Sequence, residues 1–290
     1  SRILFLFLVF SLPLFAREFH KAKILCKLQD EQLEEVSGMV AGRNCPHLFW
    51  LHNDSGDGPY IYGVNHKGQK VVTLILQNGR AIDWEDISMG NYKNQSCIFA
   101  GDIGDNDYIR KSVQIYIVPE PTSQDVSQKK EITLSAIKIL NITYPDGPHN
   151  AEALFIDPKG NLYVVEKKKS SFANIYTLSV RDFDLPKPVF KKYFILDLKK
   201  IAGRRSKRGY QVTAGDLSPD GKSLLLRGYR WAAEIDWPIK GKIRSKRIYI
   251  PRQPQGEAIC YITKNRIAIT SEKSFQPIYV LERISHEPSK

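Results

Sequence analysis

The sequence predicts an all-β fold, a single-domain β-propeller of five four-stranded blades. Three observations carry that expectation. One strand–turn–strand unit recurs five times, no stretch reads as a long amphipathic helix, and the N-terminal region offers a strand that the last unit lacks. A six-bladed propeller is the alternative. The bulk composition suits a β-rich globular chain: of 290 residues, 42% are hydrophobic and 11% aromatic.

Each unit opens with a short apolar strand headed by a small or acidic polar residue. The five openings are Ser37-Gly38-Met39-Val40, Glu85-Asp86-Ile87-Ser88, Glu152-Ala153-Leu154-Phe155, Thr213-Ala214-Gly215-Asp216-Leu217 and Glu257-Ala258-Ile259-Cys260. A turn follows. It is clearest at Asp157-Pro158-Lys159-Gly160 and Ser218-Pro219-Asp220-Gly221, where Pro and a closing Gly carry type I turn chemistry. These two turns fix the register and set Thr213 opposite Glu152. The second strands end in polar residues, at Asp54, Asp102, Glu166, Arg227 and Glu272.

The third strands carry an Ile-Tyr pair at Ile61-Tyr62, Ile115-Tyr116, Ile175-Tyr176 and Ile278-Tyr279, with Ala233-Glu234-Ile235 standing in for the fourth unit. A more charged fourth strand completes most units, as in Lys70-Val71-Val72-Thr73-Leu74-Ile75-Leu76. The last unit has no room for a fourth strand after Ile278-Tyr279-Val280-Leu281. Residues 21–28 are expected to fill that place, closing the ring and covering an edge that would otherwise be open to pairing.

Residues 1–16 read as a secretory signal peptide: Arg2, an apolar run from Ile3 to Phe15 broken by Ser11 and Pro13, then Ala16. The propeller is therefore expected over residues 17–290, in a secreted or periplasmic setting. No later segment reaches the ~18 uninterrupted apolar residues of a membrane-spanning helix. Such a setting permits disulfides among Cys26, Cys45, Cys97 and Cys260. Cys45 and Cys97, each just ahead of an apolar strand, are the favoured pair. The formal net charge of +12 suits an anionic partner. Its scatter reads first as a solvated Lys-rich surface, and the basic loop Gly203-Arg204-Arg205-Ser206-Lys207-Arg208-Gly209 lacks the interleaved aromatics of a nucleic-acid site. An anionic small molecule or an envelope or extracellular component is the expected partner, met by a monomer.

In a propeller the first strands line the axis, so Ser37, Glu85, Glu152, Thr213 and Glu257 should converge. Three carboxylates aimed at one axis repel unless they hold a cation or take up protons. Ca²⁺, which accepts six to eight oxygens in loose geometry, is the expected axial ion, with these five residues as ligands; Mg²⁺ demands a tighter octahedron. A water-filled polar channel is the plainer alternative. Around one mouth of the tunnel, Asp54, Asp102, Glu166 with Lys167, Arg227 and Glu272 are candidate catalytic residues for hydrolysis of a phosphoester or other anionic ester. Cations there would neutralise developing charge while an Asp activates water. Asp105, Asn106, His149 and Asn150 lie close enough in sequence to reach the same mouth. A non-catalytic propeller that binds a protein, glycan or envelope component is the second expectation. Nucleophile motifs such as Gly-x-Ser-x-Gly and His-Glu-x-x-His are absent from the sequence. Asn53-Asp54-Ser55-Gly56-Asp57-Gly58 reads as a turn rather than an ion-binding loop, and Trp84 as packing between blades.

Two resemblances follow from these residues. Asn53-Asp54-Ser55-Gly56, Asp83-Trp84-Glu85-Asp86-Ile87, Gly101-Asp102-Ile103-Gly104-Asp105-Asn106, Tyr144 to Leu154 and Gln255-Gly256-Glu257-Ala258-Ile259 resemble the signature blocks of a largely uncharacterised family of secreted bacterial propeller proteins. The order Ser37, Glu85, Glu152, Thr213, Glu257 is similar to the axial ring of the calcium-activated nucleotidases (soluble apyrases), which implies five blades and an axial Ca²⁺. The sequence departs from that family where Ser55, rather than Arg, follows Asp54. It departs again where Glu166-Lys167-Lys168-Lys169 replaces an Arg-rich phosphate-binding segment.

Overall fold

The computed structural model describes residues 17–203 and 209–285. The expected leader, residues 1–16, and residues 204–208 of the basic loop lie outside the described residues. Strand β1 (Lys23–Lys27) precedes five blades. The first comprises β2 (Val36–Ala41), β3 (Leu48–Asn53), β4 (Tyr60–Asn65) and β5 (Lys70–Leu76). The second begins with β6 (Trp84–Tyr92), β7 (Gln95–Asp102) and β8 (Val113–Pro119). After α1 (Ser123–Gln128) and β9 (Glu131–Leu134), it finishes with β10 (Lys138–Ile142). The third holds β11 (Ala151–Ile156), β12 (Leu162–Glu166), β13 (Phe172–Leu178) and β14 (Lys191–Asp197). After α2 (Leu198–Ala202), the fourth holds β15 (Ala214–Leu217), β16 (Ser223–Gly228), β17 (Trp231–Asp236) and β18 (Ser245–Ile248). The fifth consists of β19 (Gln255–Thr263), β20 (Arg266–Glu272) and β21 (Pro277–Glu282), completed by β1.

The ring is five-bladed, and the six-bladed alternative does not occur. Closure takes the expected form: β1 runs antiparallel to β21, with Lys23 opposite Val280 and Ile24 opposite Tyr279. The innermost strands contact one another in ring order, β2 to β6, β6 to β11, β11 to β15, β15 to β19 and β19 back to β2. One apolar core fills each gap between neighbouring blades. Strand alternation explains why both faces of each blade read as apolar. On β3, Leu48 and Trp50 face the second blade, while Phe49 and Leu51 face the fifth.

The long interval between Glu85 and Glu152 holds an insertion that the repeat pattern did not reveal. Its helix α1 carries a capping box between Thr122 and Asp125. Strand β9 then lies parallel to β5 as a fifth strand on the outside of the first blade. The Ile-Tyr motif also gains a physical meaning: each Ile fills a core, and three Tyr hydroxyls hold loops at the mouth. Tyr62 donates to Asp57 (2.6 Å), the Tyr116 oxygen accepts from the Arg80 amide (3.0 Å), and the Tyr176 hydroxyl lies 2.9 Å from His149 Nε2.

The expected Cys45–Cys97 disulfide is absent, and all four cysteines are buried free thiols. Cys45 faces the core between blades one and two, whereas Cys97 faces the core between blades two and three. Equivalent places ahead of two strands do not make neighbours, because the strands present those residues to different gaps.

Candidate active site at the axial mouth

The heads of the first strands are set apart from the strands they open by a local irregularity. Pairing slips by one residue at Ser37, Glu85, Glu152 and Glu257, each being the extra residue of a β-bulge. A bulge re-aims one side chain and ends regular pairing, which suits residues directed at the axis. The fourth blade lacks the bulge and compensates through Thr213, whose amide bonds the Arg227 carbonyl (2.9 Å). The two hydroxyls stitch adjacent blades. Ser37 Oγ donates to the Glu85 carbonyl (2.6 Å) and Thr213 Oγ1 to the Gly256 carbonyl (3.0 Å).

The three glutamates of this ring are almost completely buried. Burial pushes the Glu85 carboxyl well above the usual range, with the charges of Glu152 and Asp54 adding to the rise. Glu257 is raised well above its ordinary value by burial and then by Glu152, and Glu152 itself is raised by burial against the pull of Lys167. Glu257 Oε2 is buried without a hydrogen-bond partner among the described residues. Asp54, from the end of β3, and Asp83, just before β6, join this group. With Glu85 they present carboxylate oxygens within 4.8 Å of one another. Burial raises Asp54 and lifts Asp83 to about 6, Asp54 adding to the latter. Gly104 packs on this trio so closely that a Cβ there would stand 2.3 Å from both Asp83 Oδ2 and Glu85 Oε1.

One ammonium enters the cluster. Lys167 Nζ pairs with Glu152 Oε1 at 2.7 Å and lies 5.4 Å from the centre of the Tyr229 ring. Its charge also acts on Glu257, Glu85, Asp54 and Asp83. Burial lowers its pKa, but the surrounding acids more than reverse that, so it stays protonated. Glu272 completes the group: burial raises its pKa, and its charge adds to the rise at Glu257. Lys167 thus stands among six carboxyl groups, Asp54, Asp83, Glu85, Glu152, Glu257 and Glu272, while Arg227 acts on Glu257, Arg110 on Asp83 and Lys273 on Glu272 from the edge of the group.

The remaining sequence candidates stand behind this centre. Asp102 is fully buried and accepts from the Asp83 amide (3.0 Å) and from Arg110 Nη1 (2.7 Å), so it fixes the loop that carries Asp83. Glu166 is fully buried against His149 Nδ1, Lys168 Nζ (2.8 Å) and the Asn174 amide (2.8 Å). Arg227 turns into the seam between the last two blades. There Nη1 donates to the carbonyls of Ala258 (2.9 Å) and Thr270 (3.0 Å), and Nη2 to Gln253 (3.1 Å). Gly256 makes room for that guanidinium, since a Cβ would meet Nη2 at 1.7 Å.

His149 bridges Glu166 and Asp146; burial lowers its pKa but the two acids raise it further. Asn150 accepts from the Asp105 amide (2.8 Å) and donates toward Asn106 (3.1 Å) and Glu152 (3.4 Å). The Asn53–Gly58 segment is a turn tied by Asn53 Nδ2 to Asp57 (2.8 Å). Trp84 is buried between blades against Tyr116 and His52. The repeat pattern did not single out Asp83, which lies just before β6 and comes beside Glu85 through the bulge there.

No family model and no curated protein matches the chain. Among solved structures, the chain is similar in backbone to the PQQ-bound form of the aldose sugar dehydrogenase from Streptomyces coelicolor. The TM-score is 0.46 and the identity 11%, over 91% of this chain and 98% of that one. At that level the likeness says nothing of cofactor or substrate. The assignment of an all-β, five-bladed propeller rests on the strand pairing itself.

Proposed function

We propose that this protein is a secreted, Ca²⁺-dependent hydrolase of phosphoesters or related anionic esters, working at the axial mouth. The observation that carries the reading is the gathering of four buried and two half-buried carboxyl groups around the one ammonium, Lys167, that pairs directly with a member of the group among the described residues. Burying such a group without more cations or protons is strongly unfavourable. The donor set is all oxygen, which suits a hard cation. Asp54, Asp83 and Glu85 would hold the ion, and Lys167 would neutralise Glu152 and Glu257 beside it. The partnerless Glu257 Oε2 supports the fit. When bound, Ca²⁺ would supply charge neutralisation and polarisation of an ester oxygen.

The chain's own groups cover the remaining needs. Lys167 attracts and orients the anionic end of a substrate. As a ligand of the ion Asp83 would be held ionised, so its part is to bind the cation rather than to take a proton from water. Glu257 and Glu272, both raised by burial, are suited to hold a proton that passes to the leaving oxygen. Secretion rests on the leader-like residues 1–16, and an extracellular setting would supply calcium to a site of modest affinity.

The test is turnover of p-nitrophenyl phosphate and bis(p-nitrophenyl) phosphate by chelator-treated protein, with and without Ca²⁺. Ca²⁺-dependent release of nitrophenol, reduced about 10²-fold by Asp83→Asn, is expected. Tight Ca²⁺ binding with no turnover of either ester would instead favour a non-catalytic propeller holding a structural ion.

A further inference from the structure

Four large apolar side chains face solvent on loops that also carry residues of this mouth: Ile82 (54% exposed), Tyr108 (47%), Ile109 (74%) and Phe275 (47%). Ile82 immediately precedes Asp83, and its amide lies 3.4 Å from Asp102 Oδ2. Tyr108 and Ile109 belong to the β7–β8 loop, whose Gly104 packs on Asp83 and Glu85. Phe275 belongs to the β20–β21 loop, which starts at Glu272. That loop leans on the strand entrance of the first blade, the Lys273 amide donating to the Glu34 carbonyl (2.5 Å).

Scattered exposed apolar residues need no explanation. Two of these, however, are held in backbone conformations that bulky residues avoid. Tyr108 has φ 56° and Phe275 φ 58°, both in the left-handed region. Such conformations persist only where the surroundings enforce them, and they concentrate at ligand clamps. The enforcement is visible around Tyr108. Its amide donates to the Asp105 carbonyl (3.0 Å), and the Asp105 carboxylate accepts the amides of Ile109 (2.9 Å) and Arg110 (3.0 Å). Arg110 is in turn held by Asp102 and by the Gly104 carbonyl, both at 2.7 Å. Around Phe275 the chain is bent twice, since Lys273 also has a positive φ of 91°. Loops on the second and fifth blades, which flank the first, thus present aromatic rings to solvent in conformations that glycine would adopt more readily.

We propose that Ile82, Tyr108, Ile109 and Phe275 form the apolar wall of the substrate site. They recognise an aryl or alkyl group on the ester, while its anionic end meets Lys167 and the acidic centre. This inference rests on the anionic-ester reading of the same mouth and names the other half of the substrate.

The probes are phenylphosphonate and methylphosphonate, which cannot be hydrolysed, titrated calorimetrically into the full chain with Ca²⁺. Phenylphosphonate should bind at least about tenfold more tightly, as burial of a ring implies. Tyr108→Gly and Phe275→Gly relieve the backbone strain, so each should raise the melting temperature. Each should also cut the preference for phenylphosphonate at least about threefold and leave methylphosphonate binding unchanged. Equal binding of the two phosphonates, or a preference unmoved in both variants, would overturn the apolar wall alone. Binding of neither would overturn it together with the anionic-ester reading.

Discussion

Two sets of buried acids sit on the same axial strands, and they are held in opposite ways. Asp86 spans the axis: its carboxylate accepts the amides of Ile87 (2.9 Å), Leu154 (3.0 Å) and Gly215 (3.1 Å), tying three blades together. Asp216 accepts from Leu217 (2.8 Å) and Tyr261 (2.7 Å), joining the fourth blade to the fifth. Glu85, Glu152 and Glu257 are as deeply buried but gather chiefly one another, Lys167 and Glu272. Burial alone therefore does not mark a functional acid. The distinguishing feature is where its hydrogen bonds go. An acid surrounded by backbone donors is part of the frame, and one surrounded by other acids needs a cation or a proton to balance it.

The sharpest way to break this contrast is to remove one acid from each set. Asp86→Ala strands three backbone amides in the interior, and each unsatisfied donor costs about 1–3 kcal/mol. Loss of at least about 3 kcal/mol in urea denaturation is expected. A loss below about 1 kcal/mol would show that water replaces the carboxylate and that Asp86 is no staple. Glu85→Gln should do the reverse, stabilising the chelated protein by removing repulsion.

Next in size is Gly256→Ala. The added methyl collides with the Arg227 guanidinium, which cannot retreat while it bonds Ala258, Thr270 and Gln253. A loss of about 2 kcal/mol is expected, with Ca²⁺ binding retained if the seam is purely structural. Lys167→Met tests the mouth itself. Removing the resident ammonium should tighten Ca²⁺ binding by about tenfold while destabilising the chelated protein at alkaline pH. Unchanged Ca²⁺ affinity would mean that Lys167 does not share the ion's field.

The smallest effect is a pH trend. The mouth carboxyls have folded-state pKa values above their ordinary ones, about 6 for Asp83 against 3.8. The stability they lend is therefore complete below about pH 4 and is lost as pH rises through about 6 and beyond for the ring glutamates. The chelated protein should melt progressively lower from about pH 5 to pH 8, and Ca²⁺ should offset the part of that fall due to the mouth, Asp86 and Asp216 being raised by burial as well. A melting temperature flat across this range would place the mouth carboxyls near their ordinary values.

The same distinction explains what the sequence could reveal. Blade number, ring closure and the convergence of Glu85, Glu152 and Glu257 follow from periodic patterns, because strand alternation and turn chemistry are local. The destinations of Asp102, Glu166 and Arg227 were not legible. All three end second strands as the repeat requires, yet Asp102 and Glu166 turn to the loops that follow them and Arg227 into a seam with the next blade, and side-chain direction is not set by the repeat. The separation of Cys45 from Cys97 was hidden for the same reason. Lys167 was visible as a cation near the mouth. Its insertion among the acids depends on Glu152 standing opposite the end of β12, a relation only the pairing of strands supplies.

The most direct test of the mouth as a cation site is the melting temperature of the chelated protein with and without Ca²⁺ and Mg²⁺. The comparison protein is a Glu85→Gln/Glu152→Gln double variant. A large rise specific to Ca²⁺, lost in the double variant while its chelated form melts no lower than the parent, is predicted. No rise with either ion in the parent protein would contradict the carboxylate site and leave the ring balanced by Lys167, Arg227 and bound protons.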